Sequence, residues 1–201
     1  MTGTDAGTVK SKATTQEQIL DLAQQYIQQR GYNGFSFRDL ANGIGVKSSS
    51  IHYHFASKAQ LAIAVTSRYR RNFTAATVQL EAKNPTATDV LIAYAQIFIS
   101  TLEDDRKACL CAMLASDFDS IDGAVTDEVK AFFAEQYKWL AGIVAGGIAH
   151  GTIRANVVPD EFAVLYFSAL EGAMMLAKAN DNAAQIELVA NQMISMVQPN
   201  Q

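Results

Sequence analysis

Apolar residues recur along this chain at three- and four-residue spacing, and capping signals separate the recurring stretches. The first stretch opens at Thr14-x-x-Glu17, a box able to satisfy the free N–H groups of a first helical turn. It continues through Ile19, Leu22, Ala23, Tyr26 and Ile27 and stops at Gly31. A second box, Ser36-x-x-Asp39, opens a short helix with Phe37, Leu40, Ala41 and Ile44 on its apolar face, and Gly45 breaks it. "VKSSSIHYHFASK", Val46 to Lys58, is a third helix of about two turns ending near Phe55. Ser57-x-x-Gln60 then launches a long helix through Leu61, Val65, Tyr69 and Phe73 toward Asn84-Pro85.

Beyond Pro85 the texture changes. "VLIAYAQIFI", residues 90–99, is apolar on every side and predicts a helix buried all round. An acidic turn, "EDDR", precedes a short helix around "ACLCAMLAS". A long helix is expected from about Thr126 to His150 with Gly151 as its cap, and Pro159-Asp160 starts another through Lys178. The last helix places Ile186, Val189, Ala190, Met193, Ile194 and Val197 on one stripe. No strand alternation, internal repeat or low-complexity segment interrupts the series. The expected fold is all-α, with a tail at 1–12 expected to be disordered, a three-helix unit at 13–58 and a larger helical domain at 59–201.

Composition narrows the class without changing the fold. Apolar residues make up 49% and charged residues 18% of 201, the balance of a globular chain. No apolar run reads as a membrane span and "MTGTDAGTVKSK" has no signal core, so a cytoplasmic location is expected. The two cysteines of "CLC" do not make a disulfide framework. Net charge is −4, yet residues 1–71 hold nine Lys/Arg against four Asp/Glu while residues 72–201 hold seven against sixteen. A basic end on an acidic body is the asymmetry of a chain that meets a polyanion with that end.

The candidate chemistry sits in the third helix, which carries two of the three histidines. At about 100° per residue, His52 and His54 point about 200° apart and cannot share a metal or a reacting atom. No acidic or cysteine cluster adds ligands, and no orienting carboxylate or oxyanion donor accompanies Ser48, Ser49 and Ser50. Neither a metal site, a cofactor site nor a catalytic set is expected, and the third histidine, His150, stands alone at a helix end. As a surface the segment is coherent. Ile51 and Phe55 anchor it, Ser49 and Tyr53 fall opposite, and His52 and Ser50 lie at the margins. Such a short polar face without an acid suits the DNA major groove.

"GFSFRDLANGIGVKSSSIHYHFASKAQL" resembles the helix-turn-helix signature of the tetracycline-repressor (TetR) family of transcriptional regulators, and "ILDLAQQYIQQRGYNGFS" is similar to that family's first helix and turn. The resemblance covers about residues 13–66. It implies a homodimeric DNA-binding repressor, released from a palindromic operator by a small molecule. Carried over by position, it implies that Ser48, Ser49, His52 and Tyr53 face the groove. His54 and Lys58 would approach phosphates, Ser36 and Arg38 would contact flanking backbone, and Lys47 adds a contact. The first groove-facing positions are serines rather than Arg or Gln, so direct base readout is expected to be modest, with water bridges or DNA shape carrying more specificity.

Two short reading helices need two half-sites roughly 34–36 Å apart, hence a dimer. The apolar surplus of Phe162 to Leu176, with Gly172 and Ala173 permitting close approach, assigns pairing to residues 160–197, and the resemblance implies a four-helix bundle there. Candidate effector contacts are Tyr94 and Phe98, then Cys109, Met113 and Phe118, then Phe133, Tyr137 and Trp139, then Tyr166 with Met174 and Met175 nearby; such stripes equally make ordinary core. Glu171, in "SALEGAMML", attracts a cationic ligand, pairs with a base of a partner subunit or reaches solvent; all three readings stand. Arg106 and Lys107 would lower a neighbouring thiol pKa and Asp104 and Asp105 would oppose that, leaving regulation through Cys109 and Cys111, or by a protein partner, as the alternatives.

Overall fold

Every helix start marked by a capping pair in the sequence is made in the structure. The computed structural model describes residues 13–199; the expected tail at 1–12 lies outside the described residues. Thr14 Oγ1 accepts from the Glu17 N–H at 3.3 Å while the Glu17 carboxylate accepts from the Thr14 N–H at 2.7 Å, and α1 runs Thr15–Arg30. The same reciprocal pair between Ser36 and Asp39 starts α2, Phe37–Ile44. Gly45 closes it at φ 72°, a left-handed turn that L side chains resist, and α3 follows at Ser48–His54. Ser57 Oγ accepts from the Gln60 N–H at 3.2 Å, opening α4 at Lys58–Lys83.

The remaining described helices are α5 (Ala87–Glu103), α6 (Leu110–Ala115), α7 (Gly123–Ala149), α8 (Pro159–Asn180) and α9 (Ala184–Ser195). Three expectations shift. α7 begins before Thr126, because the Asp122 carboxylate accepts from the Ala124 N–H at 2.9 Å and caps it three residues earlier. α5 is not buried all round: Ile92 is 41% exposed and Gln96 faces outward, since α4, α7, α8 and α9 cover only part of its circumference. α8 also corrects the expectation that no run is long and apolar enough to cross a membrane, because by length and composition it is. Its inner face, Phe162, Ala163, Tyr166, Phe167, Leu170, Ala173 and Met174, packs on α5, α7 and α9, as a core helix does.

One apolar core runs through the described helices, from Ile19, Ile27, Leu40 and Ile51 in the first three to Leu91, Leu140, Leu170 and Ile186 in the rest. The joint between the two parts is polar and specific. Gln28 donates through Nε2 to the Ala108 carbonyl at 3.0 Å, and the Ala108 N–H returns to the Gln28 carbonyl at 3.0 Å. Lys178 of α8 donates to the carbonyls of Gln28 and Gln29, each at 3.2 Å.

The paired glycines of α7 divide their tasks. A Cβ on Gly147 would stand 2.6 Å from the Ala87 Cβ and 2.8 Å from Ile153 Cδ1, whereas one on Gly146 meets nothing within 4 Å. Ala87 has no side chain to swing away, so Gly147→Ala must push α5 off α7 and is expected to destabilise by about 1–3 kcal/mol. Gly146→Ala is expected to stabilise by up to about 1 kcal/mol through helix propensity. Urea unfolding of the two variants should give opposite signs.

Candidate nucleic-acid interface and internal cavity

α3 is held by its inner side alone. Ile51 is fully buried and Phe55 is 5% exposed, while Ser48, Ser49, His52 and Tyr53 are exposed, Tyr53 at 86%. The Tyr53 ring lies edge-on to His54 at 5.2 Å, and the His52 ring packs edge-on to Phe37 at 4.9 Å, so α2 fixes the angle of α3. Lys47, the residue before α3, and Arg38 on α2 are exposed beside this face. Ser36 is exposed but spends its hydroxyl on Asp39, donating to Oδ2 at 2.6 Å and accepting from the backbone N–H, and those bonds hold the Asp39 carboxyl below its usual range.

Lys58 departs from its expected outward reach. Its ammonium donates to the Phe35 carbonyl and lies 4.2 Å from the Phe35 ring centroid and 4.7 Å from that of Tyr32. Burial lowers its pKa, with Asp117 and Asp39 opposing. In this conformation Lys58 ties α4 to the α1–α2 turn, because cation–π contact and a carbonyl occupy its charge.

Within the remaining helices the aromatic residues close around a small cavity of about 10 Å³, room for a single water. Tyr69 and Phe73 line it from α4, Ile97, Phe98 and Thr101 from α5, Phe132 from α7, Glu171 and Met174 from α8, and Cys109 from the segment entering α6. Both Glu171 carboxylate oxygens are buried and no N–H, O–H or cationic group pairs with them, a state no other carboxylate among the described residues shares; the Cys109 thiol, a weak donor, is the one hydrogen-bonding group that faces them. What exposure Glu171 keeps therefore belongs to its backbone and stem. Burial pushes its pKa up to about 7, with a hydrogen bond from the Cys109 thiol opposing.

Of the expected effector contacts, Phe98, Cys109, Glu171 and Met174 reach this cavity. Tyr94 stands behind it, 5.6 Å from Phe98 and 6.0 Å from Phe73, donating to Gln136 Oε1 at 3.3 Å. The others lie elsewhere. Tyr166 donates to the Leu91 carbonyl at 2.8 Å and stacks on Phe162; Phe133 and Tyr137 pack on Phe167 at 5.9 and 5.5 Å. Met113 packs toward Gly31, Phe118 begins a short turn outside the cavity, and Met175 is 46% exposed. Trp139 lines an outer groove between α4 and α7 instead. Tyr69, Phe73 and Phe132 were not among the expected contacts. The phase of Val125, Val129, Phe132, Gln136 and Leu140 on α7 turns Phe132 rather than Phe133 inward, a signal present in the sequence.

Burial weighs against the alternative of regulation through Cys109 and Cys111. Both thiols are buried and their pKa values are raised, first by desolvation and then by Glu171. Arg106 pairs with Asp181 and donates to the Lys178 carbonyl at 2.7 Å, and Lys107 pairs with Asp104, so neither cation serves a thiolate. The same turn carries Asp105 and Arg106 at φ 56° and 55°, a strained pair clamped by Gln25 and Gln29 on one side and α8 on the other.

The outer faces of α8 and α9, with the residue that closes α9, expose several large apolar side chains. Leu165 is 54%, Leu176 63%, Leu188 69% and Met196 53% exposed, with Val164 and Met175 beside them. Gly172 lies on this face with open space above it, whereas Ala173 points into the core and does not share the role expected for the pair.

Comparison with known proteins finds family matches in both parts of the chain. The family model described as "Bacterial regulatory proteins, tetR family" matches residues 19–65, and that described as "Tetracyclin repressor-like, C-terminal domain" matches residues 87–193. The chain is 25% identical over 175 residues to the HTH-type transcriptional repressor KstR2 of Rhodococcus jostii, covering 78% of this chain and 76% of that one. It is 22% identical to the HTH-type transcriptional repressor DhaR of a Mycobacterium species, covering 88% and 89%. The crystal structure of a TetR-family transcriptional regulator from Agrobacterium tumefaciens superposes with a TM-score of 0.88 at 30% identity, covering 92% of this chain and 98% of that one.

Proposed function

Because this chain belongs to the TetR family of bacterial regulatory proteins, we propose that it is a dimeric repressor that reads an inverted-repeat operator with α3 and is released by a small molecule. The observation that carries the reading is the exposed polar face of α3, presented by a buried anchor and free of acids. Within it, Ser48, Ser49, His52 and Tyr53 face base edges, and Arg38, Lys47 and His54 approach phosphates. Ser36 contributes by capping α2, and Lys58 by holding the reading unit to α4. The division of labour falls near residue 58, with the effector cavity and the dimer seam both beyond it.

The seam is the apolar face of α8 and α9, where Leu165, Leu176, Leu188 and Met196 would be covered by the same residues of a second copy. Release follows from differential affinity. A cavity of about 10 Å³ admits an effector only if α4, α5 and α8 part, and α8 carries both the seam and Lys178, which holds the end of α1. Operator and effector must then weaken each other's binding by one common factor.

Selection of sites from a random duplex pool tests the reading. An enriched inverted repeat with a steep salt slope is expected; no enrichment by folded, dimeric protein would overturn it. Tyr53→Ala should cost about tenfold to a hundredfold in operator affinity, the worth of one good base contact, without moving the thermal midpoint. Lys47→Ala should weaken all duplexes alike and reduce the salt slope by about one.

A further inference from the structure

We infer that the effector is a lipophilic organic cation, a quaternary or protonated amine on an apolar body, and that Glu171 is the residue that selects its charge. The inference rests on the effector-responsive reading above and names the chemical class that reading leaves open. Three observations carry it. Both Glu171 oxygens are buried with no partner but the weak Cys109 thiol, and Glu171 lines a cavity between helices α4, α5, α7 and α8. The walls around them are the rings of Tyr69, Phe73, Phe98 and Phe132 with the Met174 thioether, whose electron-rich faces favour positive charge.

The third observation is what does not face the carboxylate. The titratable groups set against it are Tyr69 from α4, Tyr94 from α5, and Cys109 and Cys111 from the segment forming α6; α7 presents Phe132. All are acids or neutral, and among the described residues no Lys, Arg or His lines the cavity, so the carboxyl has no counter-charge to hold it when it ionises. An anion meets the ionised carboxylate unfavourably, and a neutral ligand leaves the ionised form uncompensated, so that the group stays protonated. A cation supplies the missing partner and gains the ring faces as well. The body around the cavity, residues 72–201, carries seven bases against sixteen acids and draws cations toward it.

Linkage gives the test its sign. A cation binds the ionised carboxylate, so protons compete with it. With the Glu171 pKa near 7, affinity should rise roughly thirtyfold between pH 5.5 and 8.5. A neutral ligand accepting a hydrogen bond from the protonated acid would show the reverse slope. Calorimetric titration of the full chain with phenyltrimethylammonium, which does not itself titrate, and with its neutral isostere tert-butylbenzene separates the two.

The expected result is selective binding of the cation, tightening with pH, and loss of both selectivity and pH dependence in Glu171→Gln, whose cooperative unfolding reports that it is folded. Equal or tighter binding of tert-butylbenzene, a flat or falling pH dependence for the cation, or binding of neither probe would overturn the inference. Operator selection on the same preparation keeps the two claims apart. An enriched operator without cation selectivity would sink the cation site alone. Cation selectivity without any operator would leave the site and overturn the regulator.

Discussion

Leu165→Glu combined with Leu176→Glu should yield a folded monomer whose operator affinity falls by between about a hundredfold and ten-thousandfold, the range by which a linked second site raises affinity. The two leucines are 54% and 63% exposed, so the substitutions cost the protomer little. In a dimer the same positions would bury four carboxylates without partners, and desolvation would oppose association. Sedimentation should report the monomer, far-UV circular dichroism an unchanged helix content, and a single half-site duplex should bind as weakly as the full repeat. A variant that remains dimeric would move the seam off α8 and α9.

Glu171→Gln should change how stability depends on pH more than any other single substitution described here. The folded carboxyl titrates near 7 against an ordinary value of 4.5, because burial disfavours its charged form. Below pH 4.5 both folded and unfolded chains hold the proton and the group contributes no pH dependence. Between 4.5 and 7 the unfolded chain releases it while the folded chain keeps it, so stability falls as pH rises, by about 3 kcal/mol in total. Above 7 the loss is complete and constant. Glutamine cannot titrate, so the stability of the variant relative to the parent should climb by about 3 kcal/mol from pH 4.5 to 8. Urea unfolding across that window measures the difference; a constant difference would mean that the carboxyl is solvated in solution.

The first three helices are legible in the sequence because their signals are local. Thr14 with Glu17 and Ser36 with Asp39 stand three residues apart, the reach of a capping side chain, and Gly45 permits a left-handed turn without help from the rest of the chain. The exposure of Ser49 and Tyr53 follows from the same arithmetic, since Ile51 and Phe55 fix which side of α3 is inner. Lys58 defeated that arithmetic. Its own helix leaves it half-exposed, and only the approach of Phe35 and Tyr32 from the preceding turn captures its charge.

The cavity is less legible for the same reason. Tyr166, Tyr137 and Phe133 are as aromatic as Tyr69, Phe73 and Phe132, and composition does not separate them. Cys109 was equally ambiguous: the bases beside it in sequence turn to Asp181 and Asp104, while a carboxylate sixty-two positions away faces its thiol. By itself the sequence determined the helices, their caps, the polar face of α3 and the apolar surplus of α8, all set by interactions within about four residues. The tertiary structure alone decided that Phe132, turned inward by its phase on α7, meets Tyr69, Phe73 and Phe98 at one cavity, that Glu171 is buried there with only the Cys109 thiol beside it, and that the thiols are not activated. Those properties depend on the relative rotation of helices brought together from distant parts of the chain, and no local spacing encodes it.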